Sequence, residues 1–250
     1  MDMRIPVIAA AVMLFGATAY GQTCPPSPDY GYKGTMGPEH WGEQWPVCGK
    51  GQAQSPIDIA LGGAPGKGPA IAFHYQPFDL DVENTSHVVE VVVPPGSYII
   101  VGDHRYDLVQ FHFHTPSEHT MGGKAADLEI HFVHRDSAGK LAVVGLLATK
   151  TGASAALQPV VATLPINSCE HKDVHKEFDA TAILPKIRDY VTYPGSLTTP
   201  GCDEGVTWFV LTQSISVSPE QLTKLSPFGA DARPVQPLHG RSIVRVKPGS

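Results

Sequence analysis

A chain of 250 residues is long enough for one domain with a large core, and its net charge of −6 offers no basic stripe, so nucleic acid is not an expected partner. Its 23 prolines and 25 glycines suit a fold with many turns and argue against a helical bundle.

The first residues read as a targeting segment. Arg4 gives a weakly positive start, and Ile5 to Phe15 is an apolar run too short to span a bilayer. Ala17-Thr-Ala19 matches a small-residue cleavage site, so residues 1–19 are read as a signal peptide, with cleavage after Gly21 as the alternative. Residues 20–28 then form a short extension. No later apolar stretch approaches membrane length, so the expected mature protein is periplasmic or secreted and not membrane-spanning. Disulfides are permitted there. The four cysteines, at 24, 48, 169 and 202, make no C-x-x-C pair, which argues against a cysteine zinc knuckle and leaves three full pairings open.

Residues 22–56 carry Gly, Pro and aromatics (Tyr30, Tyr32, Trp41, Trp45) and read as an irregular wrapping segment. Short runs of β-branched and aromatic residues follow at Ile71–Tyr75, Leu80–Val82, Val88–Val93, Tyr98–Val101, Leu108–His114, Leu128–His134 and Leu141–Thr149. Gly, Pro, Asn or Asp punctuate them, which predicts a mostly antiparallel sheet. Helices are predicted over Ala153–Leu164 and Ser218–Leu225, the second opening on an N-cap Ser218 with Pro219 in its first turn. There is no internal repeat, low-complexity tract or domain boundary. The expectation is a single α+β, strand-dominated domain with a large twisted sheet and short peripheral helices.

Gln110-Phe-His-Phe-His114 holds the most specific signal. Side chains at i and i+2 of a strand share a face, so Gln110, His112 and His114 point one way while Phe111 and Phe113 point the other. Glu129-Ile-His131 repeats the parity. A lone H-x-H is more often surface or packing histidine. A third histidine, with a carboxylate two residues before it, points instead to a metal site. Histidines that bind metal donate their other N–H to a carboxylate, amide or carbonyl, and Gln110 and Glu129 are placed for that. Three imidazoles with an open fourth position describe a catalytic zinc site.

Other segments then fall into order. Gly37-Pro-Glu-His-Trp41, Gln54-Ser-Pro-Ile-Asp58, Ser117-Glu-His-Thr120, Ala142-Val-Val-Gly145, Tyr193-Pro-Gly-Ser-Leu-Thr-Thr-Pro200 and Val206-Thr-Trp208 join the two histidine stretches. With these, the chain resembles the α-class carbonic anhydrases over residues 29–248, and a His₃ zinc set is the ligation for which carbonic anhydrase is the known example.

The resemblance implies zinc-dependent, reversible hydration of CO₂ to bicarbonate and a proton by way of a zinc-bound hydroxide. His112, His114 and His131 would hold the one zinc. Thr198 would accept the hydroxide proton and donate to Glu118, a carboxylate with only acceptors. Thr199 would contact bicarbonate, and Val133, Val143, Leu197 and Trp208 would wall the CO₂ pocket. His87 matches the proton shuttle, with Tyr32, Thr85 and Glu90 along its water chain. Thr85, Ser86 and Glu90 depart from the family's usual Asn, Gly and amide. Sulfonamide and anion inhibitors are expected, and the resemblance admits a homodimer. Among bacterial relatives the pattern pairs Cys48 with Cys202, leaving Cys24 and Cys169 as candidate partners. His40, His119 and His134 read as structural, and His74, His104, His171, His175 and His239 as exposed.

Two other readings compete. His112-x-His114-x₃-Glu118 also fits a cupin metal core, with Glu118 and His131 as ligands and iron or manganese as the metal. The glycines that usually flank that motif are missing. A carbonic-anhydrase-like binding module without activity would normally have lost a zinc histidine, and this chain keeps all three.

Overall fold

The computed structural model describes residues 30–60, 62, 66–165, 167 and 170–247. The predicted signal peptide, the extension to residue 28, and both Cys24 and Cys169 lie outside the described residues.

Alternation of apolar and polar residues fixes which way each strand faces. In β3 (Phe78–Asn84), Phe78, Leu80, Val82 and Asn84 are buried while Asp79, Asp81 and Glu83 project from the other face. β9 (Leu128–Arg135) and β10 (Leu141–Thr149) are covered on both faces and read as nearly continuous apolar runs. With β2 (Ile71–His74), β4 (Val89–Val92), β5 (Tyr98–Val101), β6 (His104–His114), β11 (His171–Phe178), β12 (Tyr190–Ser196), β13 (Glu204–Ser216) and β14 (Val244–Val246), they build an 11-stranded sheet. Its order is β11-β3-β4-β6-β9-β10-β13-β12-β14, with β5 also on β6 and β2 on β5. A second, 3-stranded sheet joins β1 (Asp58–Ile59), β7 (Thr120–Met121) and β8 (Lys124–Ala125).

One face of the large sheet packs the main core, where Phe111, Phe113, Ile130, Phe132, Val144 and Leu146 are fully buried. The opposite face carries the histidines, as the i, i+2 parity requires. The amino-terminal wrap holds short helices α1 (Trp41–Gln44) and α2 (Pro46–Lys50). Trp41 Nε1 anchors it by donating to the carbonyls of Met36 (2.9 Å) and Gly31 (3.1 Å).

The seven predicted runs are all strands, and the strand-dominated class holds. Several details differ. Within the large sheet β10 and β13 run parallel, so the sheet is mixed although every other ladder in it is antiparallel. β11 to β14 lie beyond the predicted runs. Helix α3 covers only Gln158–Thr163, not Ala153–Leu164. Pro159 belongs in a first helical turn, and Ser154 is engaged elsewhere, its N–H donating to Gln221 Oε1 and its carbonyl accepting from Gln221 Nε2 (both 2.8 Å). Gln221 sits in α4 (Pro219–Leu225), where Ser218 and Gln221 form the capping box.

Candidate metal centre and pocket

β6 and β9 pair so that His112 lies opposite His131 and His114 opposite Glu129. One ring nitrogen from each of His112, His114 and His131 falls within a 4.8 Å group. The other nitrogens each face a protein group, by a hydrogen bond at His112 and His114 and by a close carboxylate contact at His131. His112 Nδ1 meets Gln110 Oε1 at 2.8 Å, His114 Nδ1 meets the Asp231 carbonyl at 3.0 Å, and His131 Nε2 lies 3.1 Å from Glu129 Oε1. Each ring therefore turns its remaining lone pair toward the shared point. Burial pushes His112 well below its ordinary value and His131 down to about 4, so both are neutral near pH 7, as metal binding requires. His114 Nε2 is buried with no hydrogen-bond partner, a costly state for a polar atom unless another group satisfies it. A divalent cation fits this donor set.

Glu118 is fully buried beside the cluster, with Oε2 3.6 Å from His114 Nε2 and 3.9 Å from His131 Nδ1. Its Oε1 accepts from the Arg233 backbone N–H at 2.9 Å. Burial pushes the carboxyl up to about 8, against the pull of hydrogen bonds from the Thr198 hydroxyl and the Arg233 N–H. A cation at the histidines would strengthen that pull. Thr198 is itself buried.

The apolar wall comes from cross-strand neighbours. Val143 on β10 lies between Val133 on β9 and Trp208 on β13, and Leu197 packs against the same cluster. The Trp208 ring centre is 4.8 Å from that of His131. Thr199 is half-buried in the same loop, its carbonyl accepting from Cys202 N–H at 2.9 Å. Cys202 is bonded to Cys48, so that loop is tied covalently to the amino-terminal wrap.

His87 is half-buried in the turn between β3 and β4 and stacks on Tyr30, with ring centres 4.1 Å apart. Burial lowers its pKa from the ordinary value. The Tyr32 hydroxyl is buried without a hydrogen-bond partner, so it has capacity for water. Thr85 differs: its hydroxyl donates to the Val88 carbonyl and accepts from Val88 N–H, both at 3.0 Å, and is spent on its own turn. Glu90 on β4 lies opposite His112, and burial pushes its carboxyl up to about 7.

The structure adds residues that sequence reasoning did not reach. Asp231 and Arg233 hold His114 and Glu118 through backbone atoms, and the Arg233 guanidinium donates to the carbonyls of Ser55 (2.7 Å) and Cys48 (2.9 Å). His119, expected only to be structural, backs the metal centre: its Nδ1 is 2.7 Å from Glu129 Oε1 and its Nε2 2.6 Å from the Tyr193 hydroxyl. Burial opposes a charge on Glu129, yet His119 and His131 overcome it and hold the carboxyl well below its ordinary value. His40 bonds Glu43 at the surface, and His134 is buried against Tyr75. His74, His104, His175 and His239 are exposed as expected, but His171 is only 28% exposed, because two carboxylates flank it.

The large sheet is an open path that ends at β11 and β14, and it does not close into the jelly roll a cupin would need. Comparison with known proteins agrees. The profile of the eukaryotic-type carbonic anhydrase family matches residues 36–247. A carbonic anhydrase of Nostoc sp. is 38% identical over 227 residues, covering 87% of this chain and 86% of that protein. One from Neisseria gonorrhoeae is 36% identical over 244 residues, covering 95% and 94%. The α-carbonic anhydrase of Thermovibrio ammonificans, solved with the inhibitor sulfanilamide, superposes with a TM-score of 0.82 at 37% identity, covering 86% of this chain and 98% of that one. A family profile spanning most of the chain, together with this fold, shows that the chain belongs to the eukaryotic-type carbonic anhydrases.

Proposed function

We propose that this protein catalyses the reversible hydration of CO₂ to bicarbonate and a proton, with one zinc held by His112, His114 and His131. The observation that carries the reading is the convergence of three ring nitrogens whose opposite nitrogens face Gln110, the Asp231 carbonyl and Glu129, beside the buried Glu118 and Thr198. Zinc, when bound, supplies a water whose pKa is lowered to about 7, the magnitude known for carbonic anhydrase.

The chain's own residues do the rest. Neutral imidazoles leave the dication's charge intact. An ionised Glu118 has only acceptors, so the Thr198 proton must point to it, and the Thr198 oxygen must then accept from the water that attacks. That leaves a lone pair of the water free to face CO₂. CO₂ is small and apolar, and Val133, Val143, Leu197 and Trp208 give it a dry wall. Thr199 stands where bicarbonate forms. His87 takes the released proton toward solvent, imidazole being the group that titrates near neutrality. Tyr32 holds water along the way, Glu90 lines it, and Thr85 contributes by shaping the His87 turn.

We place the mature protein in the periplasm or outside the cell. The amino-terminal signal pattern supports this, and a Cys48–Cys202 disulfide is in keeping with an oxidising compartment. Stopped-flow CO₂ hydration by the zinc-loaded protein, with and without a sulfonamide, tests the function. Rapid hydration abolished by the sulfonamide is expected. A zinc-loaded chain with no hydration would overturn the reading and favour a binding module.

A further inference from the structure

A row of ionisable side chains crosses the pocket face of the sheet from the metal centre to the sheet's edge. Strand register sets Glu90 opposite His112, Glu83 opposite Glu90, and His171 opposite Glu83, across β6, β4, β3 and β11. Neighbouring strands lie about 4.8 Å apart, so the three steps cover roughly 14 Å. At the outer end His171 Nε2 is 3.2 Å from Glu83 Oε2, and His171 Nδ1 is 3.5 Å from Asp81 Oδ1. Both ring nitrogens thus face carboxylates, which can accept the two N–H bonds of an imidazolium. His171, Glu83 and Asp81 are 28%, 27% and 32% exposed, so this end reaches solvent. In the next row Asp173 lies opposite Asp81, and Val92 of β4 closes the inner side. Nothing in the reaction as described uses this row beyond Glu90. His87 sits apart from it, in the turn that joins β3 to β4.

We propose that Glu83 and His171 form a second proton exit from the pocket, working beside His87. The inference rests on the CO₂-hydration reading. Each hydration joins one CO₂ and one water and leaves one bicarbonate and one proton. By this route pocket water passes the proton to the Glu83 carboxylate, which becomes the neutral acid. Glu83 then gives it to the free Nε2 lone pair of His171 and returns to carboxylate. The His171 imidazolium releases it to buffer and returns to neutral. Glu90 lines the route with a polar edge, and no change in its charge is needed.

The test uses the zinc-loaded protein in weak buffer, comparing His87→Ala alone with His87→Ala plus Glu83→Gln and with His87→Ala plus His171→Gln. Zinc content is measured for each. His87→Ala should keep a residual kcat, and each added substitution should lower it by a further factor of about ten, a modest share of what proton-transfer groups contribute. The kcat/KM for CO₂ should hold, because the hydration step is untouched. Residual kcat unchanged by either added substitution would overturn the exit. So would equal loss of kcat and kcat/KM, or loss of zinc, since either marks a structural role. Absence of hydration in the zinc-loaded parent would be a different failure, that of the functional reading itself.

Discussion

At Thr198 and Glu118 the reaction depends on which way one hydroxyl proton points. Glu118 can fix that direction only while it is an acceptor, and Gln in its place can donate to Thr198 and reverse it. Glu118→Gln should keep the metal and lose hydration by about 10²-fold, and Thr198→Ala should do the same, the usual scale for removing one positioned group. Metal analysis with hydration kinetics checks this, and full activity in either variant would remove the pair from the mechanism. His87 gives a pH prediction. As a proton acceptor it works only when neutral, so kcat falls as pH drops through its pKa. Burial lowers that pKa, so the fall should lie below the ordinary 6.5. Tyr30→Ala uncovers the ring and should move the fall upward; an unmoved kcat profile would separate the stack from the shuttle. Ser86 holds φ at 74°, a left-handed conformation that favours Gly. Ser86→Gly should raise stability by about 1 kcal/mol, read as a higher Tm. At this scale the zinc ligands, Gln110 and Glu129 are legible in the sequence because strand parity alone aligns them. Asp231 and Arg233 are not, since they act through a backbone carbonyl and a backbone N–H that any residue carries.

Among the elements, β6 and β9 carry the metal centre and β10 backs it through β9. Gly145 lies opposite His131, and a Cβ there would come 2.8 Å from Glu129 Oε1. Gly145→Ala should therefore displace the Glu129 carboxylate and loosen His131. The expected result is weaker zinc retention against a chelator with the fold kept, measured as a faster loss of metal. An unchanged rate would show that Glu129 has room to move. Runs of β-branched and aromatic residues make β2 to β6, β9 and β10 readable, but the two-residue strands and those after β10 give weaker cues. β11 reads His-Lys-Asp-Val-His-Lys-Glu-Phe, with polar residues on both faces, as suits the edge of a sheet. β12 contains Pro194 and Gly195, which look like a turn. Pro194 is tolerated because β14 pairs only with Tyr190 to Thr192, so the missing N–H has no partner to lose there. Helix α3 is shorter than its local sequence predicts because Gln221 captures the backbone of Ser154 from a distant part of the chain, a contact that local propensity cannot show.

For the whole molecule, the Cys48–Cys202 bond spans a sequence separation of 154, and closing so long a loop is worth roughly 4–5 kcal/mol in the chain-entropy model. The bond also joins the wrap to the Thr198 loop. Reduction should lower the urea midpoint and reduce hydration together; a lower midpoint with full activity would mean that the loop is held by packing alone. Acid stability follows from His134, buried against Tyr75, whose pKa burial lowers to about 3. The unfolded chain binds this proton near 6.5 and the native chain does not until about 3. Stability present above 6.5 is therefore lost as pH falls across that window. His134→Gln should flatten the pH dependence of the urea midpoint between pH 7 and 4. The class of fold and the metal site are legible in the residues alone, because both rest on local periodicity. The parallel β10–β13 pairing and the Arg233 clamp on Cys48, Ser55 and Glu118 are long-range facts that only the folded chain reveals. The central claim is that these three histidines hold a catalytic zinc, and metal content measured alongside CO₂ hydration tests it most directly. The expected result is one zinc per chain with rapid hydration, and loss of both in His112→Ala, His114→Ala or His131→Ala. Iron or manganese in the purified protein, with hydration retained in His131→Ala, would contradict it.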